Sequence, residues 1–242
     1  MRAILLLAFV CTFAAVHSDE APVRQNRPLS STNFDKITID GNFDVFLTQT
    51  NGQPTPSVEI EAPPSVQPKI IVEIRDGSTL SVHTDGQFQT NSKINVYIKF
   101  PSPLRRYAVT GTGKTVTDAA GISNSGNDVL SVNIGGSVSL EMKLDVFQLD
   151  IEASGTASAQ FNGQARELLN IHSNGVNKID TVNLQTKKAK VSVSGLSEVR
   201  VAASEDADLE TLGIGTIYYR LPAGKHPSRM SSIGIGKIAP LP

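Results

Sequence analysis

A glycine that recurs about every twenty residues constrains this chain more than any other feature of its sequence. Between Tyr107 and Ile238 the successive intervals in the series are 23, 19, 20, 20, 20 and 21 residues. The series consists of Gly113, Gly136, Gly155, Gly175, Gly195, Gly215 and Gly236. A period of this length indicates an internal structural repeat, with glycine at a corner where the backbone needs a positive φ.

The residues before each glycine alternate between apolar and polar side chains. Leu149 and Ile151 stand six and four positions before Gly155, and most other repeats carry apolar residues at these two positions. Such a two-residue rhythm is typical of a β-strand with one buried face. A unit of twenty residues cannot bury that face alone, so successive units must stack. We therefore predict an all-β fold in which residues 104–238 form a parallel, right-handed β-helix, or solenoid.

The chain ahead of the repeats divides into three segments. Residues 1–18 combine an arginine with an apolar run that ends in small residues, which is the pattern of a secretory signal peptide. The only cysteine, Cys11, lies in that run, so we expect a mature chain without disulfides. Residues 19–32 are predicted to be a flexible leader. Residues 33–103 carry irregularly spaced strands that cap or join the solenoid, and residues 33–242 are predicted to form one domain.

Turn signals separate the N-terminal strands. Asp76-Gly77 lies between two short apolar runs and predicts a hairpin, and Asn51-Gly52 predicts a turn after the second strand. Pro63-Pro64 is incompatible with a central strand and indicates a connector. Since no segment shows sustained helical periodicity, we expect strands throughout.

Composition narrows the classes of partner. The formal net charge is −1 and the chain has no basic tail, so we expect no binding to nucleic acid. The N-terminal apolar run is too short to span a membrane, and no second hydrophobic span follows it. We therefore predict a secreted, extracellular protein with no membrane span.

The motifs that could carry chemistry are weak. Residues 108–115, AVTGTGKT, match a relaxed phosphate-binding loop, but β-branched residues follow where that loop needs a helix, so we interpret them as a solenoid corner. The histidines outside the signal, His83, His172 and His226, show no metal-ligand spacing. His172 is expected on the solvent side of its strand. We predict no catalytic set, no metal site and no cofactor.

The position five residues after each glycine is mostly charged or polar. With the glycines in register, these side chains would stack one strand spacing apart on the outer surface, with an acidic end and a basic end. We call this set the polar stripe: Asp118, Glu141, Gln160, Asp180, Arg200 and Arg220. It is interpreted as a solvated outer face and a candidate binding surface. Stacked carboxylates are also used by sugar-cleaving enzymes and calcium sites.

The order of segments resembles that of a known family. FDKITIDGNFDVFLTQ, starting at Phe34, is followed by DGSTLSV, by INVYIKFPSPLRRYAVTGTG, and then by repeated units that end in Ser-Gly. This order is similar to the putative auto-transporter adhesin head GIN domain family, over roughly residues 34–238. The resemblance implies a secreted or surface-attached β-helix and supplies no catalytic residues. The signal lacks the lipoprotein cysteine expected in many relatives, which favours free secretion over surface attachment.

Three functions fit these observations. The leading hypothesis is a secreted, non-enzymatic, adhesin-like module that presents a long flat surface to an extracellular or cell-surface protein or glycan. The alternative is a carbohydrate-active enzyme of the β-helix type that uses some of Asp118, Glu141 and Asp180. The third is a self-associating extracellular structural protein whose exposed rung edges pair end to end.

Overall fold

Strands make up most of the computed structural model, which describes residues 20–50, 55–101 and 103–242. A short 3-10 turn, Gln67–Lys69, is the only helical segment in those ranges. The predicted signal peptide, residues 1–18, and the predicted Asn51-Gly52 turn lie outside the described residues. The strands are β1 (Val23–Arg27), β2 (Lys36–Asn42), β3 (Asp44–Thr50), β4 (Ser57–Ala62), β5 (Ile70–Arg75), β6 (Thr79–Thr84), β7 (Asn95–Pro101), β8 (Arg106–Thr117), β9 (Ile122–Ser123), β10 (Val129–Ile134), β11 (Ser137–Gly175), β12 (Lys178–Thr181), β13 (Leu184–Gly195), β14 (Glu198–Ala202), β15 (Asp206–Gly213), β16 (Thr216–Arg220), β17 (Arg229–Gly234) and β18 (Lys237–Pro240).

These strands wind into a parallel β-solenoid of about six turns, as the repeat predicts. Each turn of the chain, or rung, pairs with the rungs above and below it in parallel register. The pairings fall into three stacks. Face A includes β2, β6, β10, β15 and β17; face B includes β3, β7, β12, β14, β16 and β18; face C is short and includes β9. The long strands β8, β11 and β13 turn corners and contribute to more than one face.

The solenoid begins earlier in the chain than the glycine period indicates. On face A, β2 lies between β6 and β8, and on face B, β3 lies between β7 and β8, all in parallel. The N-terminal strands therefore join the solenoid as its first rungs. Their order in space differs from their order in sequence, because β4 and β5 are inserted between them. This rearrangement explains why residues 33–103 show no regular period.

Antiparallel strands close the N-terminal end of the solenoid. Strand β5 pairs with β6 through the predicted turn at Asp76 and Gly77, and β4 pairs with β7. Strand β1 then pairs with β4, so residues 23–27, predicted as part of a flexible leader, are ordered as a strand. Its side chains are largely exposed, and polar contacts hold it: Arg27 donates to the Gln67 backbone and side-chain oxygens, both at 2.6 Å. Sequence periodicity missed β1 because no buried apolar face marks it.

The corner between faces A and B consists of stacked glycines, but not of all those in the predicted series. The stacked row runs Gly41, Gly111, Gly136, Gly155, Gly175, Gly195, Gly213 and Gly234. Gly113, Gly215 and Gly236 were wrongly assigned to it, since each follows the true corner glycine by two residues. Gly213 and Gly234 have φ values of +112° and +109°, whereas Gly215 and Gly236 lack the positive φ that the corner requires. Side chains alternate between the two sides of a strand every two residues. Shifting the corner by two residues therefore leaves the same side chains assigned to the core.

Inward-facing side chains fill the interior of the coil with aliphatic residues. Leu149, Ile151, Leu169 and Ile171 are fully buried on face A of neighbouring rungs. Near the N-terminal end the buried Tyr107 hydroxyl lies 2.6 Å from the Thr115 hydroxyl, and burial raises the pKa of Tyr107. The alternation predicted from sequence thus sets which side of each strand forms the core.

Candidate binding surface

The central members of the polar stripe stack as predicted on face B. Gln160 pairs with Asp180, and Asp180 pairs with Arg200. Glu141 lies one rung before Gln160. Gly155 stacks on Gly136, and Gly163 stacks on Leu144, so residues 19 positions apart face each other on both sides of Glu141 and Gln160. All four side chains are outward and at least partly exposed. They form a continuous outer row across four rungs.

Asp118 and Arg220 do not belong to this row. Glu141 pairs with Val116 and Arg200 pairs with Tyr218, so each predicted end residue lies two positions too far along its strand. Asp118 instead accepts a hydrogen bond at 3.0 Å from the Gly121 amide and stabilises the turn that follows β8. Arg220 donates to the Val182 carbonyl at 3.3 Å. Both displacements follow from the misplaced glycines Gly113 and Gly215.

The acidic groups of the row are separated from one another. Gln160 lies between Glu141 and Asp180, and Asp118 is out of register, so no two stripe carboxylates stack on adjacent rungs. The Glu141 carboxylate lies 3.1 Å from the Lys114 ammonium, and Asp180 accepts from the Val182 amide at 3.0 Å. The like-charge pair that would support acid–base chemistry is therefore absent from the stripe.

Aromatic residues stand at both ends of the same row, which the sequence prediction missed. Beyond Val116 the row continues to Phe46 and Tyr97, whose rings stack at 4.9 Å, and its other end reaches Tyr218. From Phe46 to Tyr218 it spans six strand spacings, roughly 29 Å. The sequence does indicate both aromatic ends when the correct glycines are used, because Phe46 and Tyr218 lie five residues after the corner glycines Gly41 and Gly213.

Polar contacts fix the aromatic end near the N-terminus. The Tyr97 hydroxyl donates to Glu61 at 2.8 Å, and Asn95 donates to the same carboxylate at 2.9 Å. These bonds lower the pKa of Glu61, Asn95 making the larger contribution, and the bond to Glu61 raises the pKa of Tyr97. The Arg24 guanidinium lies 3.7 Å from the Tyr97 ring centroid, a cation–π contact that covers this ring. Phe46 is the exposed member of the pair.

Charge pairs at the other end of the row are exposed. The Arg200 guanidinium lies 2.9 Å from Glu198 and 5.8 Å from the Tyr218 ring centroid. Exposed pairs of this kind contribute only about 0–1 kcal/mol each to stability. Breaking the Arg200–Glu198 pair would therefore cost little.

The remaining sequence motifs have structural roles. Residues 108–115 lie within strand β8 and no helix follows them, so they do not form a phosphate-binding loop. Thr115, which that motif would place on a metal ion, is fully buried against Tyr107. Gly111 of this motif lies in the corner row, where it pairs with Gly41.

Two of the histidines, His83 and His172, lie on face A. His172 is exposed on face A and pairs in register with Ser192, at a cavity of about 540 Å³. His83 is half-buried on face A, with its Nε2 3.3 Å from Arg75. Across the described ranges, no three acidic, histidine or cysteine side chains cluster as metal ligands would. The same ranges contain no helix long and apolar enough to cross a membrane.

Solved structures share this fold across nearly their whole length. A putative adhesin from Bacteroides fragilis has a TM-score of 0.79 at 21% identity, with 93% of this chain and 98% of that chain covered. Putative adhesins from Parabacteroides distasonis and Parabacteroides merdae give TM-scores of 0.64 and 0.61 at 19% and 18% identity. The match to the P. distasonis protein covers 92% of this chain and 98% of that one, and the match to the P. merdae protein covers 94% and 99%. At such identities the likeness establishes the fold.

Sequence comparison identifies the family. No curated protein is significantly similar to the chain. The model of one domain family, described as "Putative auto-transporter adhesin, head GIN domain", matches residues 33–220, well over half of the chain. The matched range includes the N-terminal rungs, the glycine corner as far as Gly213 and the whole row from Tyr97 to Tyr218. This protein belongs to the auto-transporter adhesin head GIN domain family.

Proposed function

We propose that this protein is a secreted, non-enzymatic, adhesin-like module that binds an extracellular or cell-surface protein or glycan through face B. The observation that carries the proposal is the outer row from Phe46 to Tyr218. It offers aromatic, amide and charged groups in sequence along one strand-built surface. Because the strands fix the spacing of these groups, a partner binds without ordering the site.

The separation of the acidic groups supports a binding role over the carbohydrate-active alternative. Hydrolysis of a glycosidic bond needs two carboxyl groups placed together on either side of the scissile bond. Glu141 already contacts Lys114, and Asp180 is bonded to a backbone amide, while Asp118 serves a turn. Extended contact with a partner needs no such pairing.

Retention of labelled protein on cells, extracellular matrix and a glycan array tests this proposal. The informative variant is Arg200→Glu, which reverses the charge of the one basic side chain in the row. We expect it to reduce retention at least tenfold, while thermal melting confirms that the fold is intact. The matched control is Lys190→Glu, which makes the same charge reversal on face A of the same turn, on the other side of the Gly195 corner.

Two outcomes would contradict the proposal. Equal retention of both variants would remove face B as the binding surface. Absence of retention on every surface, together with cleavage of a polysaccharide that Asp180→Asn abolishes, would favour the enzyme. The array also decides whether the partner is a glycan or a protein.

A further inference from the structure

One corner between faces A and B carries a long insertion. At the other corners of the solenoid, no more than two residues separate the face A strand from the face B strand. Strand β6 ends at Thr84 and β7 begins at Asn95, so the chain inserts ten residues, 85–94, at this corner. We call these residues the β6–β7 loop. Loops held on a rigid scaffold are where proteins most often place binding residues.

The β6–β7 loop folds over the corners of the next two rungs and partly encloses a cavity of about 530 Å³. Residues 42–44 and 112–113 line the cavity from the scaffold, and residues 88–94 line it from the loop. Phe88 packs against the hydrophobic core, and the Asp44 amide donates to the Ile94 carbonyl at 2.9 Å. The loop is thus attached to the scaffold at its middle and at its end. The cavity has the size of a small-molecule site, for which about 300–1,000 Å³ is usual.

Three side-chain amides line the cavity: Asn42, Gln89 and Asn91. The Thr112 hydroxyl donates to the side-chain oxygen of Asn42, and within the described residues the NH2 group of Asn42 has no partner. Gln89 and Asn91 are exposed, and their side chains make no hydrogen bond to the same part of the chain. An amide carries a donor and an acceptor on one carbon, so it can bind two adjacent hydroxyl groups of a ligand.

The remaining lining is balanced in charge and partly aromatic. The Asp44 carboxylate lies 3.5 Å from the Lys93 ammonium and accepts from the Lys114 amide at 3.0 Å. Because Asp44 and Lys93 are the one acid and the one base in the lining, a ligand with a net charge would meet a group of like charge. Phe43 and Phe88 add aromatic surface. The lining therefore matches a neutral ligand that combines hydroxyl groups with an apolar face.

We propose that the cavity under the β6–β7 loop binds a neutral monosaccharide unit of a glycan. A sugar ring carries adjacent hydroxyl groups that pair with amides and with a carboxylate, and its C–H groups pack against aromatic rings. The site is separate from the row on face B, although Asp44 precedes the exposed Phe46 by two residues on the same side of β3. It does not depend on the proposed function, since the cavity accepts a sugar whether the row binds a protein or a glycan.

Isothermal titration calorimetry of the full chain tests the proposal, since the chain has no tryptophan to report binding by fluorescence. The probes are the methyl glycosides of glucose, galactose, mannose, fucose and N-acetylglucosamine. We expect saturable binding of at least one probe, with a Kd on the order of 1 mM, as for a ligand of this size. The double variant Gln89→Ala with Asn91→Ala removes two sets of hydrogen bonds and should raise that Kd about tenfold or more. The matched control is Gln87→Ala, an exposed glutamine of the same loop that lies outside the cavity lining.

Protein-detected NMR locates the bound glycoside. The largest amide shifts should fall in residues 42–44, 88–94 and 112–113. The variant Arg200→Glu should leave the Kd of the glycoside unchanged, which separates failure of this site from failure of face B. Three results would overturn the proposal: no binding of any probe at about 20 mM, the same Kd for the double variant and for Gln87→Ala, or tighter binding of glucuronate than of methyl glucoside.

Discussion

Replacing Gly136 by alanine should weaken the corner that holds successive rungs together. A Cβ atom placed on Gly136 would lie 2.3 Å from the Gly111 carbonyl oxygen of the preceding rung and 2.9 Å from its nitrogen. Real Cβ atoms essentially never approach closer than 3.0 Å, so the two rungs must separate by at least the difference between 2.3 and 3.0 Å. The neighbouring atoms are backbone, and rotamer changes cannot relieve the clash.

Two effects contribute to the expected loss. Gly136 has a φ of +79°, and an alanine in that region costs roughly 1–2 kcal/mol. Overpacking against the neighbouring backbone costs about another 1–3 kcal/mol. Gly224 also has a φ of +79°, but nothing lies within 4 Å of its Cβ position. The pair Gly136→Ala and Gly224→Ala therefore separates the contact between rungs from the strain of the dihedral angle.

Thermal unfolding by circular dichroism measures the difference. For a domain of this size each kcal/mol lowers the Tm by about 2–4 °C, so Gly136→Ala should melt about 2–12 °C below Gly224→Ala. Equal Tm values for the two variants would refute the reasoning. In that case the corner glycines would be required only for their dihedral angle, and close approach of the rungs would contribute nothing.

Three further predictions concern buried and hydrogen-bonded groups. The buried Ala157 amide donates to the Asn177 side-chain oxygen at 3.0 Å, and Asn177→Ala removes that acceptor. The free energy of unfolding measured in urea should fall by about 1–3 kcal/mol. The control Asn174→Ala, at an exposed position, should leave it nearly unchanged. Tyr107→Phe leaves the buried Thr115 hydroxyl unpaired and should cost about 1–2 kcal/mol; adding Thr115→Val should recover part of that loss, and strict additivity would contradict the pairing. The pKa of Glu61 is lowered in the folded state, so its contribution is complete above its ordinary value of 4.5 and is lost as pH falls through the folded pKa. The Tm gap between the native protein and Glu61→Gln should therefore narrow on acidification, and a gap independent of pH would contradict this.

The repeating half of the fold was predictable because period and alternation are local properties of the sequence. Leu149 and Ile151 are buried for the reason that the pattern gives, namely that one face of each strand must be covered. The first rungs were not predictable in the same way. Strand β2 lies between β6 and β8, and pairing across insertions leaves no period to detect. Strand β1 is held by its backbone hydrogen bonds to β4 and by the Arg27 contacts with Gln67, so its sequence carries no apolar alternation.

The candidate surface was predicted only at its centre. Gln160, Asp180 and Arg200 share one row because their repeats each contain a single corner glycine, so the register was unambiguous. At both ends the sequence offers two glycines two residues apart, and the choice between them depends on which one stacks on the neighbouring rung. That choice shifted the predicted row from Val116 and Tyr218 to Asp118 and Arg220. Register at a solenoid end is a property of contacts between rungs, which a single repeat does not encode.

One backbone arrangement thus supports two kinds of surface. The residue after each later corner glycine, such as Thr156 or Ile235, donates its backbone amide to the corner glycine of the preceding rung. Its side chain can therefore vary without loss of that hydrogen bond. The outward side chains of the strands can also vary, because the backbone amides and carbonyls there are hydrogen-bonded to the neighbouring strands. Rows of the solenoid can therefore acquire separate chemistries: charged and aromatic along face B, aliphatic along the last rungs of the corner. Since the glycines set the stacking and the intervening residues set the surface, a change to Arg200 should affect partner binding without altering the stacking of the rungs.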